Sequence, residues 1–173
     1  LMAGILEAER ISIMLLDPAR QELRLTVGSG LDPGSIPAVI VRVGESISGQ
    51  VALRAAPILV TDIESDPRFE VSAFAGQYVT RSFISAPLKV GQRVIGVINA
   101  NDKTSREPFS ENDLALLVVA TEIERPALPL AGEEPSLYEA LYSIAAPMGL
   151  GGTAAPALLS SKAIRRGEAD LWE

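Results

Sequence analysis

The chain contains no cysteine and no histidine among its 173 residues. Without cysteine, it can form neither disulfides nor zinc–thiolate sites, and it has no thiol nucleophile. Without histidine, it lacks the side chain that most often serves as a general base near neutral pH. Enzyme classes that depend on either residue are therefore excluded, and the chemistry that remains favours binding over catalysis.

Positive charge and long apolar runs are also scarce. The chain has 15 Lys and Arg residues against 22 Asp and Glu residues, which gives a net charge of −7. Nucleic-acid binding requires a basic surface, so this balance argues against it. No run approaches the roughly 18 apolar residues of a membrane span, and Leu1–Arg10 lacks the basic and apolar regions of a signal peptide. We therefore expect a cytoplasmic protein without membrane contact.

What the chain does have is apolar content for one domain. Apolar residues make up 47% of the sequence, enough for a core. We expect this domain over residues 1–125, with residues 1–10 forming the end of a helix that begins upstream. Proline and glycine cluster in residues 126–173, around a short amphipathic segment. We interpret this tail as a linker, a signalling helix or the start of a truncated segment.

The first strands are indicated by two different patterns. Ile11–Asp17 is apolar on both faces, which is typical of a buried strand. Glu22–Gly28 alternates, with Leu23, Leu25 and Val27 on one side, which predicts a half-exposed antiparallel strand.

The next segments predict a strand, a helix and a second short strand. The strand covers Val39–Val43, and the helix covers Ile47–Ala55 with Ser46 as its N-cap. Pro57 ends this helix, and Ile58–Val60 is extended.

A hairpin follows further along the chain. Phe83–Val90 and Val94–Asn101 read as strands, joined by Gly91 and Gln92 in a tight turn. Because the second strand is apolar on both faces, we expect it in the centre of the sheet.

The last predicted helix begins after Phe109. Ser110 as N-cap and Asp113 at the third helical position match a capping box, while Phe109 and Leu114 match a hydrophobic staple. An ion pair between Lys103 and Asp113 would close the loop before the helix. The helix is expected to end near residue 125, before a proline.

Four ordered segments resemble the GAF family of small-molecule sensor domains. They are Gly44–Ala52, Ile58–Phe69, Thr80–Leu88 and Val94–Asn101. The resemblance implies an α+β, PAS-related fold with a central antiparallel sheet of about six strands. Terminal helices would pack on one face, and a loop-and-helix roof would cover a pocket on the other. It also implies a signalling protein in which the domain forms a homodimer and controls an effector domain.

The resemblance further implies which residues contact a ligand. By position, these are Ile47, Ser48, Glu70, Phe74, Gln77 and Thr80. Ser48 and Thr80 can hydrogen-bond to a ligand, and Phe74 can stack on a planar one. A cyclic nucleotide, another small ligand and no ligand at all stay open as alternatives. In the last case these residues fill a closed core, and the domain serves dimerisation or partner docking.

Some GAF members that bind cyclic nucleotides carry an Asn-Lys…Phe…Asp-Glu signature. Here the matching residues begin with Asn99 or Asn101 and continue with Lys103, Phe109 and Asp113, but Asp102 interrupts the Asn-Lys pair. A leucine also replaces the final Glu. We therefore interpret the segment after residue 108 as a helix start.

Other GAF branches use chemistry that this composition does not allow. A bilin held through cysteine, thiol-based reduction of methionine sulfoxide and histidine-ligated haem are all excluded. We therefore predict a domain that is not an enzyme.

Acidic residues at 62, 64, 66 and 70 partly match a calcium loop. Pro67, however, occupies the sixth position, where that loop needs glycine. We interpret these acids as turn formers and helix caps, with no metal bound.

Overall fold

The structure, a computed structural model, describes residues 6–30, 39–68 and 81–123. The predicted tail and its boundary near residue 126 lie outside the described residues. The elements, in chain order, are β1 (Ala8–Asp17), β2 (Glu22–Ser29), β3 (Ile40–Arg42), α1 (Ser46–Arg54), β4 (Ile58–Val60), β5 (Phe83–Val90), β6 (Arg93–Lys103), α2 (Glu111–Thr121) and β7 (Glu122–Ile123). Among these ranges, no helix has the length and apolarity needed to cross a membrane.

The described strands form a single curled sheet. Six of them are antiparallel in the order β3-β2-β1-β6-β5-β4, and the short β7 adds a parallel pair to β5. The predicted α+β architecture with about six antiparallel strands is confirmed. The predicted central place of β6 is also confirmed, since it lies between β1 and β5. Gly91 begins the β5–β6 turn with φ +58°, a conformation that glycine adopts without strain.

Two ends of predicted elements are wrong. Ala8–Arg10 belong to β1, because their backbones pair with β6 as far as Lys103, and they do not form the end of a helix. At the other end, α2 stops at Thr121, where Glu122–Ile123 pair with β5. In both places a neighbouring strand satisfies the backbone, a contact that no local pattern encodes.

Helix α1 begins one residue earlier than predicted. Ser46 is its first residue, and Glu45 takes the N-cap position without a side-chain bond, so the prediction that Ser46 caps the helix is wrong. Ala55 ends the helix in a left-handed conformation. A Cβ atom at Gly49 would lie 2.3 Å from the carbonyl oxygen of Arg42. Glycine is therefore required for α1 to pack against the end of β3.

The start of α2 has the predicted capping geometry. The Asp113 N–H donates to Ser110 Oγ at 3.3 Å, and the Ser110 N–H donates back to Asp113 Oδ2 at 2.8 Å. Phe109 is almost fully buried, and Leu114 packs against the same apolar cluster. The capping box and the staple are both confirmed.

Each helix covers one face of the sheet. On the α2 face, the core contains Ile11, Ile13, Leu15, Ile84, Ala86, Leu88, Ile98, Phe109 and Leu117. On the α1 face, the core contains Met14, Leu23, Ile47, Val51, Val60, Ile63, Phe83 and Val97. The prediction that Leu23, Leu25 and Val27 share a side is wrong, because a bulge after Leu25 shifts the register and moves Val27 to the α2 face.

Candidate functional site

A row of polar side chains crosses the α1 face. Ser12 of β1 lies opposite Asn99 of β6, and Asn99 lies opposite Ser85 of β5. Ser48, in the first turn of α1, reaches the same amide from above the sheet. We call these four residues the Asn99 cluster.

The Asn99 amide connects all four members. Its Oδ1 accepts from the Ser85 hydroxyl at 2.7 Å and from the Ser48 hydroxyl at 3.1 Å, while its Nδ2 donates to Ser12 Oγ at 3.2 Å. The cluster thus offers hydroxyl and amide groups that carry no charge. Such groups can orient a bound molecule through hydrogen bonds, but they provide no nucleophile–base pair.

Apolar core residues lie beside the cluster. Ser85 is fully buried, whereas Ser12, Ser48 and Asn99 are only half-buried. Met14 and Val97 of the α1-face core form the next pair on the same face as Ser12 and Asn99. A few polar groups within an apolar wall are typical of small-molecule sites.

The structure brings together only part of the predicted ligand contacts. Ser48 belongs to the Asn99 cluster, and the neighbouring Ile47 is buried in the α1-face core. The other four predicted contacts lie outside the described residues: Glu70, Phe74, Gln77 and Thr80. They stay predictions.

Sequence reasoning missed most of the cluster. Ser12 shares a face with Met14, so its polarity within an apolar strand was a usable signal. The pairing of Ser85 with Asn99 was harder to predict. A tight turn at residues 91–92, continued without a bulge, would place Ser85 opposite Ile98. A bulge near Leu88 shifts the pairing by one residue and places Asn99 opposite Ser85 instead.

The acidic loop after β4 is held by its own carboxylates. Asp62 Oδ1 accepts from the Glu64 N–H at 3.0 Å, and Asp66 Oδ1 accepts from the Arg68 N–H at 3.0 Å. Hydrogen bonds from the Arg68 side chain lower the pKa of Asp66. These contacts confirm the interpretation of Asp62 and Asp66 as turn formers. Over residues 6–30, 39–68 and 81–123, no acidic residues group in a way that could hold a metal ion.

This loop is attached to the α1-face core and to the edge strand β4. The Ile63 N–H donates to the Arg81 carbonyl at 2.9 Å, and the Ile63 side chain is buried in the α1-face core. Arg68 Nη2 donates to the Leu59 carbonyl at 2.8 Å. The loop therefore borders the same face as the Asn99 cluster.

The predicted ion pair on the other face is present. Lys103 Nζ lies 2.9 Å from Asp113 Oδ2, beside the capping box. Burial raises the pKa of Asp113, but the Ser110 N–H, the Lys103 ammonium and the Ser110 hydroxyl outweigh it and lower the pKa overall. Lys103, Phe109 and Asp113 of the incomplete nucleotide signature thus stabilise a helix start, as the sequence predicted.

The fold and its two-faced sheet can be compared with known proteins. The model of the GAF domain family matches residues 1–123. The chain belongs to the GAF family. This GAF domain keeps the α2 face and the α1 face, which carries the Asn99 cluster, on opposite sides of the same sheet.

Solved GAF structures share the fold. The GAF domain of an Acinetobacter phosphoenolpyruvate-protein phosphotransferase is 24% identical, with a TM-score of 0.59, and the match covers 86% of this chain and 78% of that one. The A. Aeolicus nlh2 GAF domain in an inactive state is 26% identical, with a TM-score of 0.55 and coverages of 70% and 74%. The free methionine-R-sulfoxide reductase of Neisseria meningitidis, solved with its substrate, is 23% identical, with a TM-score of 0.54 and coverages of 67% and 64%. The fold therefore occurs both in GAF domains and in a methionine-R-sulfoxide reductase.

Proposed function

We propose that this GAF domain is the regulatory sensor of a cytoplasmic signal-transduction protein. It binds a small molecule on the α1 face, in a pocket that the segment between β4 and β5 closes. The predicted contacts Glu70, Phe74, Gln77 and Thr80 belong to this segment. The domain itself is not catalytic, and it controls an effector domain of the full-length protein.

The observation that carries this proposal is the Asn99 cluster. Four polar side chains hydrogen-bond to one another beside the apolar α1-face core, although apolar side chains in their place would need no hydrogen-bond partner. A site of this kind recognises a ligand by hydrogen bonds and shape. The missing cysteine and histidine support regulation over thiol or imidazole chemistry.

Signal output requires a change in the helices that leave the domain. Binding shifts the population towards the closed arrangement only if the ligand prefers that arrangement. On α2, Leu116 and Val119 are 45% and 73% exposed at a spacing of one helical turn. We include homodimerisation through this helix in the proposal, because the pair supplies an apolar contact for a second copy.

A ligand-free structural domain is the second candidate. It is supported by the fact that Asn99 hydrogen-bonds to Ser12, Ser48 and Ser85 of its own chain. A cluster satisfied in this way can serve the fold without a ligand. The domain would then act by dimerising or by docking a partner.

Native mass spectrometry of the purified chain, followed by a thermal-shift screen, separates the two candidates. The screen would contain cyclic nucleotides, purines and other small metabolites. A ligand that binds the folded state raises Tm by mass action, by an amount that grows with its concentration. We expect at least one compound to stabilise the wild-type chain.

Asn99→Leu provides the specific test of the site. We expect it to abolish the shift, while Asn101→Leu, two residues along the same strand and outside the cluster, should retain it. A mass corresponding to the bare chain, together with no shift from any compound, would support the structural alternative. A shift that survives Asn99→Leu would place the ligand elsewhere.

A further inference from the structure

Ser82 connects two parts of the molecule just before β5. Its side chain is fully buried. Its hydroxyl donates to the Val60 carbonyl at 2.9 Å and accepts from the Phe109 N–H at 2.8 Å. One side chain thus joins β4 to the residue that leads into α2.

The residue before Ser82 holds the acidic loop. The Arg81 carbonyl accepts from the Ile63 N–H, and the Arg81 guanidinium pairs with Glu64 at 2.6 Å. The φ angle of Arg81 is +52°, in the left-handed region that residues other than glycine adopt infrequently. Because the two residues are consecutive, a movement of the loop at Ile63 displaces the backbone that carries the Ser82 hydroxyl.

The residues at the start of α2 are tightly connected. Phe109 is almost fully buried, and Lys103 Nζ lies 5.8 Å from the centre of its ring. The same ammonium pairs with Asp113, which also accepts from the Ser110 hydroxyl at 2.8 Å. These contacts link Phe109 to the capping box, and with it to the first turn of α2.

We propose that the Ser82 hydroxyl is a positioning group that couples the loop over residues 61–68 to the start of α2. Movement of the loop separates the hydroxyl from Phe109 or Val60, and a buried donor or acceptor left without its partner is costly. The loop and the helix start therefore change together. The use of this coupling in signalling rests on the proposed function, whereas the coupling itself exists without a ligand.

Amide hydrogen exchange of the ligand-free chain, followed by NMR, tests the coupling directly. The Ile63 and Phe109 amides are the probes, because each donates one of the diagnostic bonds. In Ser82→Ala we expect both amides to exchange about tenfold faster, relative to the amide of Ile98 in the central strand. Ser85→Ala is the matched control: Ser85 is also fully buried, but it bonds to Asn99 on the α1 face, so both probes should keep their rates.

A second variant tests transmission in the opposite direction. Ser110 is exposed and its side chain bonds to Asp113, so Ser110→Ala should fold and act directly on the helix start. We expect faster exchange at Ile63 in Ser110→Ala, and the double variant with Ser82→Ala should exchange no faster at Ile63 than Ser82→Ala alone.

The proposal is overturned if Ile63 keeps its rate in Ser110→Ala, or if the two substitutions act additively. It is also overturned if Ser82→Ala accelerates Phe109 alone. If Ser82→Ala does not fold, the Ile63 rate in Ser110→Ala decides the matter. If no compound in the thermal-shift screen stabilises the chain, the proposed function fails, but the coupling measured by hydrogen exchange is unaffected.

Discussion

The two faces of the sheet are built from the same strands, but their side chains pack in different ways. On the α2 face, Ile84, Ile98 and Leu117 belong to an apolar core, and the first turn of the helix is capped and paired. On the α1 face, Asn99 and Ser85 replace apolar contacts with hydrogen bonds. Burying a polar group is tolerated when it is hydrogen-bonded, but it adds less stability than an apolar side chain of the same shape. We therefore expect the α2 face to contribute more to the free energy of unfolding than the α1 face does.

The largest effect on stability should come from removing a large buried side chain from the α2-face core. Phe109→Ala removes a fully buried ring and should lower the free energy of unfolding by about 3–5 kcal/mol. Urea denaturation followed by circular dichroism measures the loss. Phe109→Leu, which keeps most of the volume, should lose less than about 1.5 kcal/mol. A loss below that value for the alanine variant would mean that the α2 face is not the main source of stability.

Substitutions on the α1 face should lower the free energy of unfolding by less, and the loss should depend on which hydrogen-bond partners remain. Asn99→Leu leaves the Ser48 and Ser85 hydroxyls without their acceptor, which should cost about 1–3 kcal/mol. Adding Ser48→Ala and Ser85→Ala removes those hydroxyls and should recover much of the loss. The same urea titrations compare the variants.

If the triple variant recovers stability but loses any ligand-induced Tm shift, the Asn99 cluster is needed for binding and not for stability. A triple variant less stable than Asn99→Leu alone would show that the hydroxyls have a structural role of their own, and the contrast between the faces would weaken.

The capping site of α2 should make stability depend on pH. The lowered pKa of Asp113 means that its stabilisation is present above the pKa of the unfolded chain and is lost as pH falls through the folded pKa. Asp113→Asn should cost about 1 kcal/mol at neutral pH. The two proteins should become equally stable in acid. If the wild-type chain and Asp113→Asn lost stability in parallel as the pH falls, Asp113 would not be the source of the pH dependence.

The smallest effect on stability is expected on the outer surface of α2. Leu116→Lys with Val119→Lys changes exposed residues, so the free energy of unfolding should stay within about 0.5 kcal/mol per site. If α2 mediates the proposed homodimer, the mass measured by light scattering should fall from that of a dimer to that of a monomer. Leu53→Lys, an exposed leucine on α1, is the control that should stay dimeric. A wild-type monomer would contradict the homodimer proposal.

Local patterns predicted those elements that local interactions determine. The strands around residues 11–17, 22–28 and 83–90 follow from runs of apolar residues, and the start of α2 follows from the capping box. The missing cysteine and histidine restrict the chemistry regardless of the fold. Ser48 was predicted at the ligand-facing side through the family resemblance, and it belongs to the Asn99 cluster.

Tertiary structure alone decided which residues meet. The bulge after Leu25 sends Val27 to the opposite face, and the bulge near Leu88 brings Asn99 opposite Ser85. A shift of one residue moves every later side chain of the strand to the opposite face of the sheet, and the alternation of the sequence does not show where such a shift occurs. Ser82 shows the same limit, since its partners are separated from it by 22 and 27 residues. Composition and local pattern thus determined the elements and the available chemistry, whereas strand register and long-range hydrogen bonds determined the site.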